Sequence, residues 1–265
     1  MLLFRTLLDF PRRTLARLRD KRRARRYPVG ASFPLKASLT LLGPSGEPGT
    51  TARWSGRLAD FSSTGASVML PRAALARRGE TSTLELRLGD FLLEVPCKVA
   101  HLRAGNDCAL CGVSLSFPDT DTQKAFLQLL ETVVIAATLE PYRATGLVLT
   151  PPGLVRENYR GEHRTARLYV WRNRETLRLS SFELALEGVC LRGEAAALTG
   201  GRARAPIEVY TATAGRKAEK VAFCDHSLGL TPGDHEEPRY FFRCFVQNLP
   251  ESLAPDLRAF LERFT

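Results

Sequence analysis

Between residues 29 and 117 the chain is written in short apolar runs cut by turn residues, and after that its period changes. The runs are 29–42 (VGASFPLKASLTLL), Arg53 to Leu58, Ala66 to Leu70, Thr81 to Leu88, Phe91 to Leu102 and Ala109 to Phe117. A Pro/Gly/Ser loop, Gly43 to Thr51, follows the first run; Gly89-Asp90 is a two-residue hairpin signal, and Gly105-Asn106-Asp107 is another turn. Pro71 to Gly79 reads as a short helical or turn segment. From Asp119 to Leu139 the apolar residues Phe126, Leu127, Leu130 and Val134 recur at helical spacing instead, behind an Asp-rich start that suits an N-cap. The expected architecture is a mainly β fold, a β-barrel closed by its last strand and followed by a helix.

The length, 265 residues, accommodates two small domains, and a hydrophobic fraction of 44% can supply a core to each. The net charge is +10, but it is concentrated. Residues 1–26 hold ten Arg or Lys against Asp9 and Asp20, a net +8, so the rest of the protein is near neutral. That distribution describes a local anion-binding segment rather than a cationic surface. Residues 2–19 carry Leu or Phe at 2, 3, 4, 7, 8, 10, 15 and 18 among arginines and read as a basic amphipathic helix interrupted near Pro11. It is too charged for a signal-peptide core, and no apolar run reaches the ~18 residues that would span a bilayer. Packing on the folded protein is favoured for it, with a membrane-surface anchor as the alternative. The expected location is cytoplasmic, or peripheral to the inner membrane under that alternative.

Six cysteines stand at 97, 108, 111, 190, 224 and 244. Cys108-x-x-Cys111 is the one close pair, and in a strand its side chains point to opposite faces. No second pair or His cluster completes a zinc site, so buried thiols in a reducing compartment are expected and no metal or cofactor. No Ser/His/Asp set or carboxylate pair suggests catalysis, and an enzyme is not expected.

Two segments carry chemistry. The first is the run Lys21-Arg22-Arg23-Ala24-Arg25-Arg26, and the second is Asp60-Phe61-Ser62-Ser63-Thr64-Gly65. Guanidinium forks pair bidentately with phosphate, and equally with the O6/N7 edge of guanine, and they stack on base planes. Asp60 offers an acceptor-only carboxylate for guanine N1–H and N2–H. Ser62, two residues on, leaves the same face of an extended segment. Gly65 lets the backbone turn or approach a ligand closely. A nucleic-acid interface would interleave aromatic residues with the arginines, and here only Tyr27 is near.

Arg22-x-x-x-Arg26 followed by Asp60-x-Ser62-x-x-Gly65 resembles the two-part signature of the PilZ domain family, the common bacterial receptors for cyclic di-GMP. The resemblance covers about residues 21 to 137, including a Gly-Val-x-x-x-Phe closing strand at Gly112 to Phe117 and the helix behind it. It implies a six-stranded barrel in which Lys21, Arg22, Arg23, Arg26, Asp60, Ser62 and Gly65 bind cyclic di-GMP. In the family a basic residue at the place of Lys21 can favour two stacked ligand copies. His101 falls near the place where the family presents a ring to a guanine face; a half-exposed strand His with no role stands beside that reading.

The C-terminal half looks like a degenerate repeat. Arg156-x-x-x-Arg160-x-x-x-Arg164 precedes a strand-like run, Ala166 to Trp171, and Glu183-Leu-Ala185-Leu-Glu-Gly188 keeps the spacing of Asp60 to Gly65. Cys244-Phe-Val-Gln-Asn-Leu-Pro-Glu, followed by Leu257 to Phe264, echoes the closing strand and its helix. With Glu for Asp and Ala for Ser, this copy resembles a PilZ-like barrel that has lost half its ligand motif. The expected organisation is a basic helix over 1–20, a PilZ domain over 21–139, a linker over 140–153 and a degenerate PilZ-like domain over 154–265. The expected function is a cyclic di-GMP receptor that changes interdomain or partner contacts on binding. Its partners would be a protein effector, with a homodimer contact as one use of the second domain, and no nucleic acid. The alternatives are a PilZ-like scaffold that binds no nucleotide, and a membrane-surface or nucleic-acid adaptor using the basic N-terminal segment.

Overall fold

The computed structural model describes residues 24–43, 50–89, 91–143, 150–162, 166–186, 189–195, 207–211 and 236–265. The helix expected over residues 1–20 lies outside them, as do Lys21, Arg22, Arg23, Arg164, Gly188 and Cys224. The chain divides into two compact units between Val133 and Val134.

The strands of the first unit are β1 (Tyr27–Pro28), β2 (Lys36–Leu42), β3 (Thr51–Ser62), β4 (Gly65–Pro71), β5 (Thr81–Leu88), β6 (Phe91–Ala104) and β7 (Cys108–Leu115). Every pairing is antiparallel. The order β3-β2-β5-β6-β7-β4 returns to its start, because β4 also pairs with β3. Six strands therefore close into a barrel, and β1 adds to the end of β3. The expected barrel is what these residues form. Each strand places alternate residues inside, as the pleat requires. Along β6, Leu93, Val95, Cys97 and Val99 are buried, and they meet Leu39, Leu41, Phe61, Val68, Leu84, Leu86 and Val113 in the core. Each such side chain contributes about 1.5–3 kcal/mol by leaving water. Burial also pushes the Cys97 thiol up to about 11 and that of Cys111 up to about 12.

The first run begins later than its composition suggests. Residues 29–35 turn before β2, with Phe33 N–H donating to Gly30 O at 3.1 Å, and the strand starts at Lys36. Gly30 and Pro34 explain the delay, since neither favours a ladder position. Helix α1 (Thr120–Ala137) follows the barrel. Asp119 caps it: Oδ1 accepts from Thr122 N–H at 2.7 Å and Oδ2 from the Thr122 hydroxyl at 2.8 Å. Its Phe126 meets Phe61 of the barrel edge-on, ring centroids 5.7 Å apart.

The second unit is a sheet of β8 (Glu140–Pro141), β9 (Leu154–Arg160), β10 (Arg167–Asn173), β11 (Leu179–Leu186), β12 (Val189–Glu194) and β13 (Glu208–Thr211), followed by helices α2 (Glu236–Val246) and α3 (Pro255–Glu262). The strands pair in chain order as an open antiparallel meander. Among the described residues β13 does not return to β8, so a second barrel is not shown and the repeat is not confirmed. Arg156 and Arg160 stand inside β9 rather than in a loop before a first strand. The Cys244 segment, expected as a closing strand, forms the end of α2 (to Val246) and the turn after it. The reason is visible in burial: Phe241, Phe242, Cys244, Phe245 and Val246 are all enclosed, as on a helix packed over a sheet. Phe182 of β11 stacks on Phe242 of α2 (4.9 Å, 13°) and meets Phe264 edge-on (5.0 Å, 79°). Gly193 of β12 makes room for them, since a Cβ there would come within 2.8 Å of the Phe264 ring. Arg172 ties β10 to Glu157 of β9 at 2.8 Å and to Asp256, in the first turn of α3, at 2.6 Å.

Candidate ligand-binding face of the barrel

Antiparallel pairing sets one row of residues across the outside of the barrel. Asp60 of β3 stands opposite Ser67 of β4, Ser67 opposite Gly112 of β7, and Gly112 opposite His101 of β6. The neighbouring row, Phe61, Ala66, Val113 and Val99, points into the barrel core, so the first row lies on the other side of the sheet, where Asp60 and His101 are half-buried and Ser67 and Gly112 are covered. Two irregularities aim its ends. The ladder shifts between Leu58 and Asp60 in β3, and between Val99 and His101 in β6. Such bulges add a residue to one strand and redirect the side chain that follows.

Arg26 reaches this row from the segment ahead of β1. Its Nη1 donates to Asp60 Oδ1 at 2.7 Å and to Ser67 Oγ at 2.8 Å. The pair is only half enclosed, with side-chain exposures of 46% for Arg26 and 27% for Asp60. An ion pair this accessible is worth little to stability, about 0–1 kcal/mol, which leaves its geometry open to exchange for a ligand. Arg25 turns elsewhere, its guanidinium 5.3 Å from the centre of the Tyr27 ring.

Two glycines make the floor. At Gly65 a Cβ would come within 2.8 Å of Val113 O and 3.4 Å of Arg26 Nη2. At Gly112 a Cβ would overlap the His101 imidazole, which therefore lies directly on the bare backbone. The arrangement offers a cation, a carboxylate, a flat ring and a surface without side-chain relief. That is the set a planar, amine-bearing, anionic molecule can use.

Of the residues singled out by sequence, Arg26, Asp60, Gly65 and His101 come together here. Ser62 is different: its buried hydroxyl spans the β3–β4 turn instead of meeting Arg26 as the equally buried Ser67 does, donating to Gly65 O at 3.3 Å and accepting from Thr64 N–H at 3.4 Å. It shapes the turn that presents Gly65. Lys21, Arg22 and Arg23 lie outside the described residues. Sequence reasoning missed Ser67 and Gly112. Ser67 was findable, since it follows Gly65 by two in a strand and so shares its face. Gly112 became visible only through its register partner, His101.

The family model described as PilZ domain matches residues 20–132. No curated protein matches the chain. Among solved structures, the chain is similar to the PilZ domain of CeSA from a cellulose-synthesizing bacterium, at 17% identity over 41% of this chain and 96% of that one, TM-score 0.30. It is also similar to the Legionella uncharacterized protein Lpg0364, at 19% identity over 40% of this chain and 90% of that one, TM-score 0.25. A third is the PlzA protein of Borreliella burgdorferi in complex with c-di-GMP, at 11% identity over 69% of this chain and 86% of that one, TM-score 0.29.

Proposed function

Because residues 20–132 of this chain are a PilZ domain, we propose that the protein is a receptor for cyclic di-GMP and that the outer row of its barrel is the binding face. The observation that carries this reading is the Arg26 guanidinium held by Asp60 and Ser67 beside the glycine floor, with His101 on the same row. The ligand brings two phosphates and two guanines. Asp60 accepts from guanine N1–H and N2–H, and Arg26, with Arg22 and Arg23 of the basic run, takes phosphate oxygens and the O6/N7 edge. His101 stacks on a base. Gly112 seats the His101 ring against the backbone, Gly65 lets its strand pass close to Val113 O, and Ser62 keeps the turn in shape. Lys21 extends the cationic segment towards a second ligand copy.

The role is binding rather than turnover. The basic run changes its contacts when the ligand joins it to the Asp60 turn, and that change alters contacts with a protein partner. Binding biases such an equilibrium only by its difference in affinity for the two states.

Calorimetric titration of the full chain with cyclic di-GMP tests the reading, with Arg26→Ala and Asp60→Ala beside the wild type. Hydrogen bonds to charged groups are worth about 1.5–3 kcal/mol, so each variant should bind about 10- to 150-fold more weakly with an unchanged circular dichroism spectrum. Unaltered affinity in Arg26→Ala would remove the site, and equal binding of cyclic di-AMP would remove the guanine assignment.

A further inference from the structure

The second unit carries a cavity of about 850 Å3 along the edge of its sheet. It opens where β8 leaves β9. Tyr142 N–H still donates to Asn158 O at 2.9 Å, and Arg143 follows in the cavity wall. Arg156 of β9 and Arg174, just beyond β10, add two more guanidiniums. The wall holds one carboxylate, Glu157, and it is engaged by Arg172 at 2.8 Å and by the Tyr159 hydroxyl at 3.0 Å. Arg143 and Arg174 make no ion pair with any described residue. Among the described residues the wall therefore has a cationic surplus, three guanidiniums against one engaged carboxylate.

The other half of the wall suits a flat ring. Tyr142 lines the cavity, and the guanidiniums of Arg160 and Arg167 lie 5.9 and 5.4 Å from the centre of its ring. Arg156, also in the wall, lies 4.7 Å from the centre of the Tyr169 ring. Pro141 and Leu154 supply apolar surface.

We propose that this cavity binds a mononucleotide-class ligand, a phosphate ester carrying a flat heteroaromatic base. Guanidinium forks hold the phosphate. Tyr142, Pro141 and Leu154 cover the base. The volume lies within the range of small-molecule sites. The site uses no residue of the barrel and does not depend on the reading of its outer face.

The test is titration of the full chain carrying Arg26→Ala, which disables the barrel face, with GMP, AMP and inorganic phosphate. The comparison is the same chain with Arg143→Ser and Arg174→Ser added; both positions are exposed, so the fold is kept. At least one nucleotide should bind saturably, tenfold or more tighter than inorganic phosphate, and tenfold or more weaker after the two serine substitutions. Three results would each overturn the proposal: no saturable binding of either nucleotide, affinity unchanged by the two substitutions, or inorganic phosphate binding as tightly as the nucleotides.

Discussion

Gly112 is the residue on which the ring of the barrel face rests. Its missing Cβ leaves the space that the His101 imidazole fills. Gly112→Ala should therefore push the ring aside and act through His101 alone. Base stacking is worth about 1–3 kcal/mol, so His101→Ala should weaken cyclic di-GMP binding by about 5- to 150-fold, and Gly112→Ala by a similar factor. If the two act through one ring, the double variant binds no more weakly than the worse single one. Additive losses in that cycle would mean that Gly112 matters for some other reason. Arg26 offers the opposite case, a side chain held by Asp60 and Ser67, of which Asp60 is also a proposed ligand contact.

Helix α1 shows how a single cap is tied to pH. Asp119 accepts both an N–H and a hydroxyl hydrogen from Thr122, and these bonds hold its carboxyl below the ordinary carboxylate range. A depressed folded value means that the bonds stabilise the helix fully above the unfolded carboxyl's value of about 3.9, and lose that effect as pH falls through the folded value. Asp119→Ala should thus lower the melting temperature by a few degrees at pH 7, and the difference from wild type should shrink towards zero as pH falls through the depressed folded value. A gap that stays constant with acidification would show that Asp119 acts otherwise than as an ionised cap. The strand elements have a different dependence, because their bulges set direction rather than stability. Asp60 and His101 each follow a shift in the ladder.

At the scale of the molecule the chain has two cores of different character. The barrel is aliphatic, built on Leu39, Leu41, Leu84, Leu86 and Val113, whereas the second unit centres on stacked rings around Phe182. Phe182 is fully buried against Phe242 and Phe264, so Phe182→Ala should cost about 3–5 kcal/mol. Because the lesion sits in the second core, chemical denaturation should show a second-unit transition at lower denaturant while cyclic di-GMP affinity is retained. Loss of binding together with that transition would show that the barrel depends on the second core. Among the described residues no helix is long and apolar enough to cross a membrane.

Local pattern determined a good deal of this protein. The alternation of β5 and β6, the turn at Gly89, the cap at Asp119 and the helix behind it are all set within a few residues, and all were legible. Arg26, Asp60 and Gly65 were singled out by residue type and spacing, and His101 only by its place in the family pattern. What only the tertiary structure decided is non-local. Closure of β4 onto β3 and β7 brings Ser67 and Gly112 into one row with Asp60 and His101, and pairing of β1 with β3 sets Arg26 against a carboxylate 34 positions away. Register and bulges are properties of strand pairs, and no single strand encodes them. The helix at Cys244 was misread for a related reason. A short run dense in phenylalanine has no clear period, and its fold is chosen by the face it covers.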